Sequence, residues 1–190
     1  IRDLRLALRG RFQVDNAVVA LAALEAAGWI EAASDEAVRQ ALAGVRWPGR
    51  IEILRERPRV IVDGAHNPAG MAALAAEIPL LAQGRPVRLL FGVLSDKRWR
   101  DMVGTIAPLV AEALVVPVPE RRSEDPDRVA AEFRRFVPTR TAPSGEVAFA
   151  ELLARGSAES DCLLVAGSLF LVGEVRRATL QPNVGEVRRA

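Results

Sequence analysis

Short apolar segments with the character of β-strands alternate with helical segments along most of the sequence after Pro48-Gly49. We predict strands at 59–63, 87–93, 113–118, 139–142 and 161–166, and helices at 67–82, 99–110, 126–136, 145–154 and 168–178. Strands separated by helices of this length are typical of parallel sheets with crossovers on both faces. The sequence therefore predicts an α/β fold with a parallel, doubly wound sheet.

The sequence before Pro48 has a different pattern. Residues 1–11 alternate weakly and predict a strand pair, whereas 13–27 have the apolar spacing of a helix that Gly28 ends. Ser34 is predicted to cap a second helix that runs to about residue 42. Because two helices of this size cannot bury a core alone, we expect this part to need a neighbour. Residues 51–62 predict two short strands broken by a turn at Arg57-Pro58.

Composition excludes several classes of protein. The net charge is +2 and like charges do not form long runs, so there is no signal for nucleic-acid binding. No apolar run approaches the length of a membrane span, and no signal peptide is visible. The one cysteine, Cys162, lies in a predicted strand and cannot form an internal disulfide. This usage fits a reducing cytoplasm.

Polar residues follow three of the predicted strands, at the edge where ligands collect in parallel sheets: Asp63, the Ser95-Asp96-Lys97 turn and the Gly167-Ser168 turn. Two interpretations of Asp63 are open. It is either a turn acid that caps nearby backbone N–H groups, or a carboxylate that accepts from ribose hydroxyls or orients His66. Asn67-Pro68 fits the start of a helix, so residues 59–68 form a strand, a small-residue turn and a helix N-terminus, an arrangement that suits a nucleotide or an anion.

His66 is the only histidine and lies in the polar turn, where it could orient a substrate carboxylate or donate to developing negative charge. We expect no metal there, because there is no second histidine and no cysteine cluster. Lys97 either pairs with its neighbour Asp96 on the surface or acts in the site. Ser168 is interpreted as a helix N-cap whose neighbouring N–H groups would also suit a carboxylate.

Two further polar positions precede the predicted sheet. Gln13 and Asn16 lie three residues apart at a helix start, where an amide pair could read an adenine edge or simply cap the helix. Arg50 follows Pro48-Gly49, where a guanidinium beside a nucleotide would pair with phosphate. The sequence contains no P-loop, no Gly-x-Gly-x-x-Gly after a strand and no Gly-x-Ser-x-Gly elbow.

Five motifs in order resemble one family. They are Gln13-x-x-Asn16-Ala17, Trp47-Pro-Gly-Arg50-x-Glu52, Asp63-Gly-Ala-His-Asn-Pro68, Phe91-Gly-Val-x-x-Asp96-Lys97 and Gly167-Ser168-Leu-Phe170. Together they resemble folylpolyglutamate synthase/dihydrofolate synthase of the Mur ligase superfamily. The resemblance implies an ATP-dependent ligase that phosphorylates a folate or pteroate carboxylate, after which the amino group of glutamate attacks the acyl phosphate.

The resemblance also implies a division of the chain. Residues 1–47 would be the C-terminal end of the central P-loop ATPase domain, 48–180 a Rossmann-like domain with a mostly parallel sheet flanked by helices, and 181–190 a tail. Residues 172–178 recur letter for letter as 184–190, and we assign no function to the second copy. Since the chain begins at Ile1 without a P-loop, we expect a fragment of a longer protein, inactive by itself.

The same resemblance assigns roles to individual residues. Asn16 would contact adenine, Arg50 the phosphates and Asp63 the ribose; His66 and Ser168 would lie near the incoming glutamate, and Lys97 near the reacting groups. The implied partners are ATP, L-glutamate, folate or dihydropteroate, and the missing P-loop domain, which would carry the Mg²⁺ ligands. The family further implies a monomeric, cytoplasmic protein.

The sequence departs from the family pattern twice. Phe12 stands where many members have histidine, and Arg98 stands where a second acid often follows Asp-Lys, which changes the charge environment of Lys97. Two alternatives remain: another Mur-type ligase that joins an amino acid to a cell-wall precursor, and a non-catalytic nucleotide- or anion-binding α/β module. A phospho-receiver lacks support because no acid cluster follows the first strand.

Overall fold

A computed structural model describes residues 2–30, 34–155 and 161–180. The predicted tail, 181–190, lies outside the described residues. Helices α1 (Phe12–Ala26) and α2 (Asp35–Gly44) come first, followed by β1 (Glu52–Glu56), β2 (Arg59–Val62), α3 (Pro68–Ala82), β3 (Val87–Phe91) and α4 (Trp99–Ile106). The chain continues with a 3-10 turn (Ala107–Leu109), β4 (Glu112–Val115), α5 (Pro126–Phe133), β5 (Thr139–Thr141), α6 (Gly145–Arg155), β6 (Cys162–Ala166) and α7 (Leu169–Leu180).

The strands form one six-stranded sheet in the order β1-β2-β6-β3-β4-β5. All neighbours are parallel except β1, which pairs with β2 in antiparallel orientation at one edge. Both β3 and β2 flank β6, so the carboxyl ends of these three central strands open at the same edge. The predicted α/β fold with a mostly parallel sheet is confirmed.

The core has two layers because successive strand residues face opposite sides of the sheet. Leu89 and Phe91 of β3 pack in a cluster with α3, α4 and α5, whereas Leu90 packs in a second cluster with α6 and α7. Every residue of β2 and of β6 is buried, as expected for interior parallel strands. The loops that follow β2, β3 and β6 all leave this buried centre at the same edge of the sheet.

The prediction of a strand pair over residues 1–11 is wrong, since residues 2–11 contain no strand. This segment instead runs beside α2, where the Ala7 N–H donates to the Leu42 carbonyl at 3.0 Å. The two helices, by contrast, form as predicted, and Ser34 caps α2 through a hydrogen bond from the Ala37 N–H.

Helix α1 buries little of its apolar surface. Val14, Val18 and Val19 are 56%, 60% and 69% exposed. The helix contacts the sheet domain at its start. Phe12 packs on the main core, which is the cluster between the sheet and α3, α4 and α5, and the Arg11 N–H donates to the buried Glu77 carboxylate of α3 at 2.7 Å. Among the described residues, no helix is long and apolar enough to cross a bilayer.

Candidate functional site

Asp63 follows β2 directly and is buried, with 3% of its surface exposed. Its Oδ2 accepts a hydrogen bond from the Ile51 N–H at 2.9 Å, and its Oδ1 accepts one from the Ala65 N–H at 2.8 Å. The carboxylate therefore caps backbone donors, as the first interpretation of Asp63 states. It thereby ties the segment before β1 to the end of β2.

Burial raises the pKa of the Asp63 carboxyl above its usual value, because a charge is costly to desolvate. The two backbone hydrogen bonds act in the opposite direction, as do the Coulombic interactions of the carboxyl with nearby Arg50 and His66. Asp63 thus lies within the electrostatic influence of Arg50 and His66, which belong to different segments of the site.

The turn after Asp63 is fixed to two other loops. The Gly64 N–H donates to the Gly49 carbonyl at 2.7 Å, and the Gly167 N–H donates to the Ala65 carbonyl at 3.0 Å. The turn 63–66 consequently brings the Trp47–Arg50 segment, which precedes β1, together with the start of α7. Three of the five sequence motifs meet here, although they are far apart along the chain.

The ring of His66 is half-buried, and its Nδ1 lies 2.7 Å from the Gly64 carbonyl oxygen. A carbonyl only accepts, so Nδ1 carries the proton and Nε2 remains for a ligand. The group that orients the ring is therefore the Gly64 carbonyl, whereas the carboxylate of Asp63 is engaged by the two backbone donors.

Ser168 precedes α7 and is 2% exposed. Its Oγ accepts a hydrogen bond from the Phe170 N–H at 3.2 Å, and its carbonyl accepts one from the Val172 N–H at 3.1 Å. These contacts are those of a helix N-cap, as the sequence predicts. Asn67 caps α3 in the same way, through a 2.8 Å hydrogen bond from the Gly70 N–H.

A small cavity of about 180 Å³ lies between these turns. It is lined by the three residues assigned to glutamate and the reacting groups, His66, Lys97 and Ser168, and also by Leu94, Gly167, Leu169 and Phe170. Its volume suits a single small molecule, and its cation, imidazole and helix N-terminus suit a carboxylate.

Lys97 forms the predicted ion pair with Asp96, at 3.5 Å between Nζ and Oδ2. The same carboxylate oxygen also lies 3.2 Å from Nη1 of Arg122. Two cations share one carboxylate, so positive charge remains in excess beside the small cavity. Arg122 is not predictable from local sequence, because it lies 26 residues from Asp96. A hydrogen bond from the Ser95 N–H to the Arg122 carbonyl holds it beside Asp96.

A larger cavity of about 600 Å³ lies between the two N-terminal helices and the sheet domain. It is lined by the three residues assigned to ATP, which are Asn16, Arg50 and Asp63. The rest of its lining is mostly apolar and includes Leu6, Phe12, Ala17, Val45 and Trp47. A concave, mostly apolar cleft with a few polar side chains is typical of small-molecule and cofactor sites.

Two polar side chains in the large cavity differ in how they are held. The Asn16 amide donates to the buried Gln13 side chain at 3.0 Å, which leaves the Asn16 carbonyl oxygen for a ligand. The Arg50 guanidinium has no ion pair or hydrogen bond with the side chains of the described residues. A half-buried guanidinium in this state is ready to bind an anion.

A metal site is not formed by this part of the chain. Within 2–30, 34–155 and 161–180, no three His, Cys, Asp or Glu side chains group so as to hold a metal ion. The residues present therefore do not fit a Mg²⁺ centre, and we derive no step through a metal from them.

A family model described as Mur ligase, glutamate ligase domain, matches residues 49–169. The chain belongs to the Mur ligase family. The match begins in the Trp-Pro-Gly-Arg segment and ends at the first residue of α7, so this family domain contains β1 to β6 and the small cavity with most of its lining.

Within the Mur ligase family, the chain is similar to proteins named as folylpolyglutamate synthases. The chain is 34% identical over 98% of its length to the probable bifunctional folylpolyglutamate synthase/dihydropteroate synthase of Haloferax volcanii. It is 33% identical over 92% of its length to the dihydrofolate synthase/folylpolyglutamate synthase of Mycobacterium tuberculosis. It spans 22% and 39% of those two proteins.

The fold has close counterparts among solved structures. Escherichia coli FolC in complex with DHPP and ADP superposes with a TM-score of 0.82 at 29% identity, over 92% of this chain and 40% of that one. The resemblance to the C-terminal portion of folylpolyglutamate synthase/dihydrofolate synthase, inferred above from five motifs, is confirmed.

Proposed function

We propose that this chain is part of an ATP-dependent ligase that adds glutamate to dihydropteroate or folate through an acyl phosphate. The observation that carries the proposal is the division of the candidate residues between two cavities. Asn16, Arg50 and Asp63 line the large cavity, and His66, Lys97 and Ser168 line the small one. One turn, 63–66, contributes Asp63 and Ala65 to the large cavity and His66 to the small one, so the two ligands would lie on either side of it.

The proposed reaction balances in two steps. A carboxylate oxygen of the folate substrate attacks the γ-phosphorus of ATP, and ADP leaves. The amino nitrogen of glutamate then attacks the acyl carbon, phosphate leaves with that carboxylate oxygen, and the nitrogen loses a proton. Arg50 would bind the phosphates and His66 would contact the incoming glutamate, so this chain's contribution is orientation and charge stabilisation.

We propose the domain division given by the resemblance, with residues 1–47 as the end of an ATPase domain, 48–180 as the glutamate ligase domain and 181–190 as a tail. The exposed valines of α1 support it, because an apolar helix face of this kind is normally covered by neighbouring structure. The P-loop, the Mg²⁺ ligands and most of the folate site would lie in other parts of the full-length protein. The 190-residue chain alone is then expected to be inactive.

We also propose a cytoplasmic location and a monomeric full-length protein. The single cysteine supports the location: Cys162 is buried in β6, and burial raises the pKa of its thiol to about 11, which makes it an inert core residue. Such a thiol requires neither a disulfide partner nor an oxidising compartment.

The acceptor substrate is tested with a panel on the full-length protein. We expect ATP- and glutamate-dependent products, detected by mass, from dihydropteroate or a folate, and none from UDP-linked cell-wall precursors. Product from only the cell-wall precursors would favour the other Mur-type ligase reaction. The absence of ATP turnover with every acceptor would favour the non-catalytic module, and activity of the isolated chain would contradict the proposed division of labour.

A further inference from the structure

Arg50 is flanked by two residues with left-handed backbone. Gly49 has a φ of +74° and Ile51 a φ of +41°. This conformation is rare for a β-branched residue, and it persists only where the surrounding structure holds it in place. Ile51 is 1% exposed and packs in the main core, so the chain enters β1 through a fixed bend. The direction in which Arg50 leaves the backbone is set by this bend.

Two carboxylates hold the backbone on either side of Arg50. Glu52 Oε2 accepts a hydrogen bond from the Gly49 N–H at 2.8 Å, and Asp63 Oδ2 accepts one from the Ile51 N–H at 2.9 Å. Asp63 belongs to the site already described. Glu52 does not line the large cavity, but with Arg50 and Arg176 it lines a second one of about 670 Å³. The resemblance assigns no role to Glu52.

Glu52 is itself held by Arg176 of α7. Arg176 Nε donates to Oε2 at 2.7 Å and Nη2 donates to Oε1 at 3.0 Å, which makes a bidentate pair across 124 residues. Both side chains are about one quarter exposed, so the pair is partly shielded from water. Bidentate pairs of this kind fix orientation as well as supply energy. Arg176 lies on the helix that begins directly after Ser168, at the small cavity.

We propose that Glu52 and Arg176 are positioning residues that set the backbone from which Arg50 reaches the nucleotide. The inference rests on the proposed function, because it takes the Arg50 guanidinium as a phosphate-binding group. Through this pair, the bend that carries Arg50 is joined to α7, the helix whose N-terminus lines the small cavity. The pair thereby fixes the position of the nucleotide site relative to the small cavity.

The test is kinetic and uses the full-length protein. We expect Glu52→Gln to raise the KM for ATP about tenfold. The amide nitrogen of glutamine would face one of the Arg176 donors, so the bidentate pair would be lost. The KM for the folate acceptor is expected to change less than twofold. Arg176→Gln should reproduce the effect, and the double variant should be no worse than either single variant. Arg176→Gln also keeps the proposal testable if Glu52→Gln does not fold.

The Glu52 and Arg176 variants form one double-mutant cycle. A second double-mutant cycle, of Glu52 with Arg50, tests whether Glu52 acts through Arg50. Arg50→Gln should raise the KM for ATP at least as much, and Glu52→Gln added to Arg50→Gln should change it no further. Arg177→Gln, the next residue of α7, and Glu146→Gln are exposed controls expected to leave the KM for ATP unchanged. Thermal unfolding of each variant separates a kinetic effect from loss of folded protein.

The outcomes separate the two proposals. An unchanged KM for ATP in Arg50→Gln would contradict the role of Arg50 in the proposed function. A raised KM in Arg50→Gln with an unchanged KM in Glu52→Gln and Arg176→Gln would overturn the positioning role. So would an equal further rise when Glu52→Gln is added to Arg50→Gln, because the effect would then not pass through Arg50.

Discussion

Gly167→Ala is expected to lower the free energy of unfolding by about 3 kcal/mol, the combined scale of a strained backbone and an overpacked core. Gly167 has a φ of +105°, and a Cβ there would lie 2.4 Å from the Gly92 carbonyl oxygen and 2.9 Å from the Phe91 ring. None of these neighbours can move easily, because they belong to β3 and the residue after it. Urea unfolding of the chain and of the variant measures the difference.

Gly173→Ala is the matched control. It introduces the same methyl group six residues later, inside α7, where a Cβ would meet nothing within 4 Å. Removing a glycine from a helix interior should raise the free energy of unfolding by about 0.5–1 kcal/mol. Equal stabilities for the two variants would contradict the packing described for the Gly167-Ser168 turn.

His66→Ala in the full-length protein is expected to lower kcat/KM for glutamate about 10²–10³-fold, the scale seen when a single positioned hydrogen-bonding group is removed from an active site. The ring is oriented by the Gly64 carbonyl and lines the small cavity with Ser168 and Lys97. Initial rates at varied glutamate, with ATP and the folate acceptor saturating, measure the loss.

Nucleotide binding serves as the control measurement for the His66→Ala variant. The affinity for ADP, measured by titration calorimetry, should change less than twofold in His66→Ala, because the imidazole lines the small cavity and not the large one. A large loss of ADP affinity with normal glutamate kinetics would contradict the division of the site into two cavities.

The sheet could be predicted because its strands are short, apolar and separated by helices with clear caps. Asn67-Pro68 before α3 and Asp125 before α5 mark helix starts that the structure reproduces, each with a side-chain hydrogen bond to the backbone. The prediction of strands over residues 1–11 failed because weak alternation does not distinguish a strand from an irregular segment that runs beside a helix. Here the Ala7 N–H donates a hydrogen bond to the Leu42 carbonyl of α2.

Parts of the candidate site were also accessible from local pattern. The N-cap role of Ser168, the hydrogen bond from the Ala65 N–H to Asp63 and the Asp96–Lys97 pair each join residues at most two positions apart. Two ion pairs could not be predicted from local pattern. Glu52 pairs with Arg176 across 124 residues, and Asp96 pairs with Arg122 across 26 residues. Only the strand order of the sheet brings such residues together. The partition of six candidates into two cavities is likewise a property of the fold.

The central claim is an acyl phosphate formed with ATP and resolved by glutamate. The most direct measurement gives the full-length protein a folate acceptor labelled with ¹⁸O in the reacting carboxylate, together with ATP and glutamate, and determines the mass of the released phosphate. We predict one ¹⁸O atom per phosphate, with one glutamate added to the acceptor. Phosphate without label, or ATP hydrolysis with no change in the mass of the acceptor, would contradict the account.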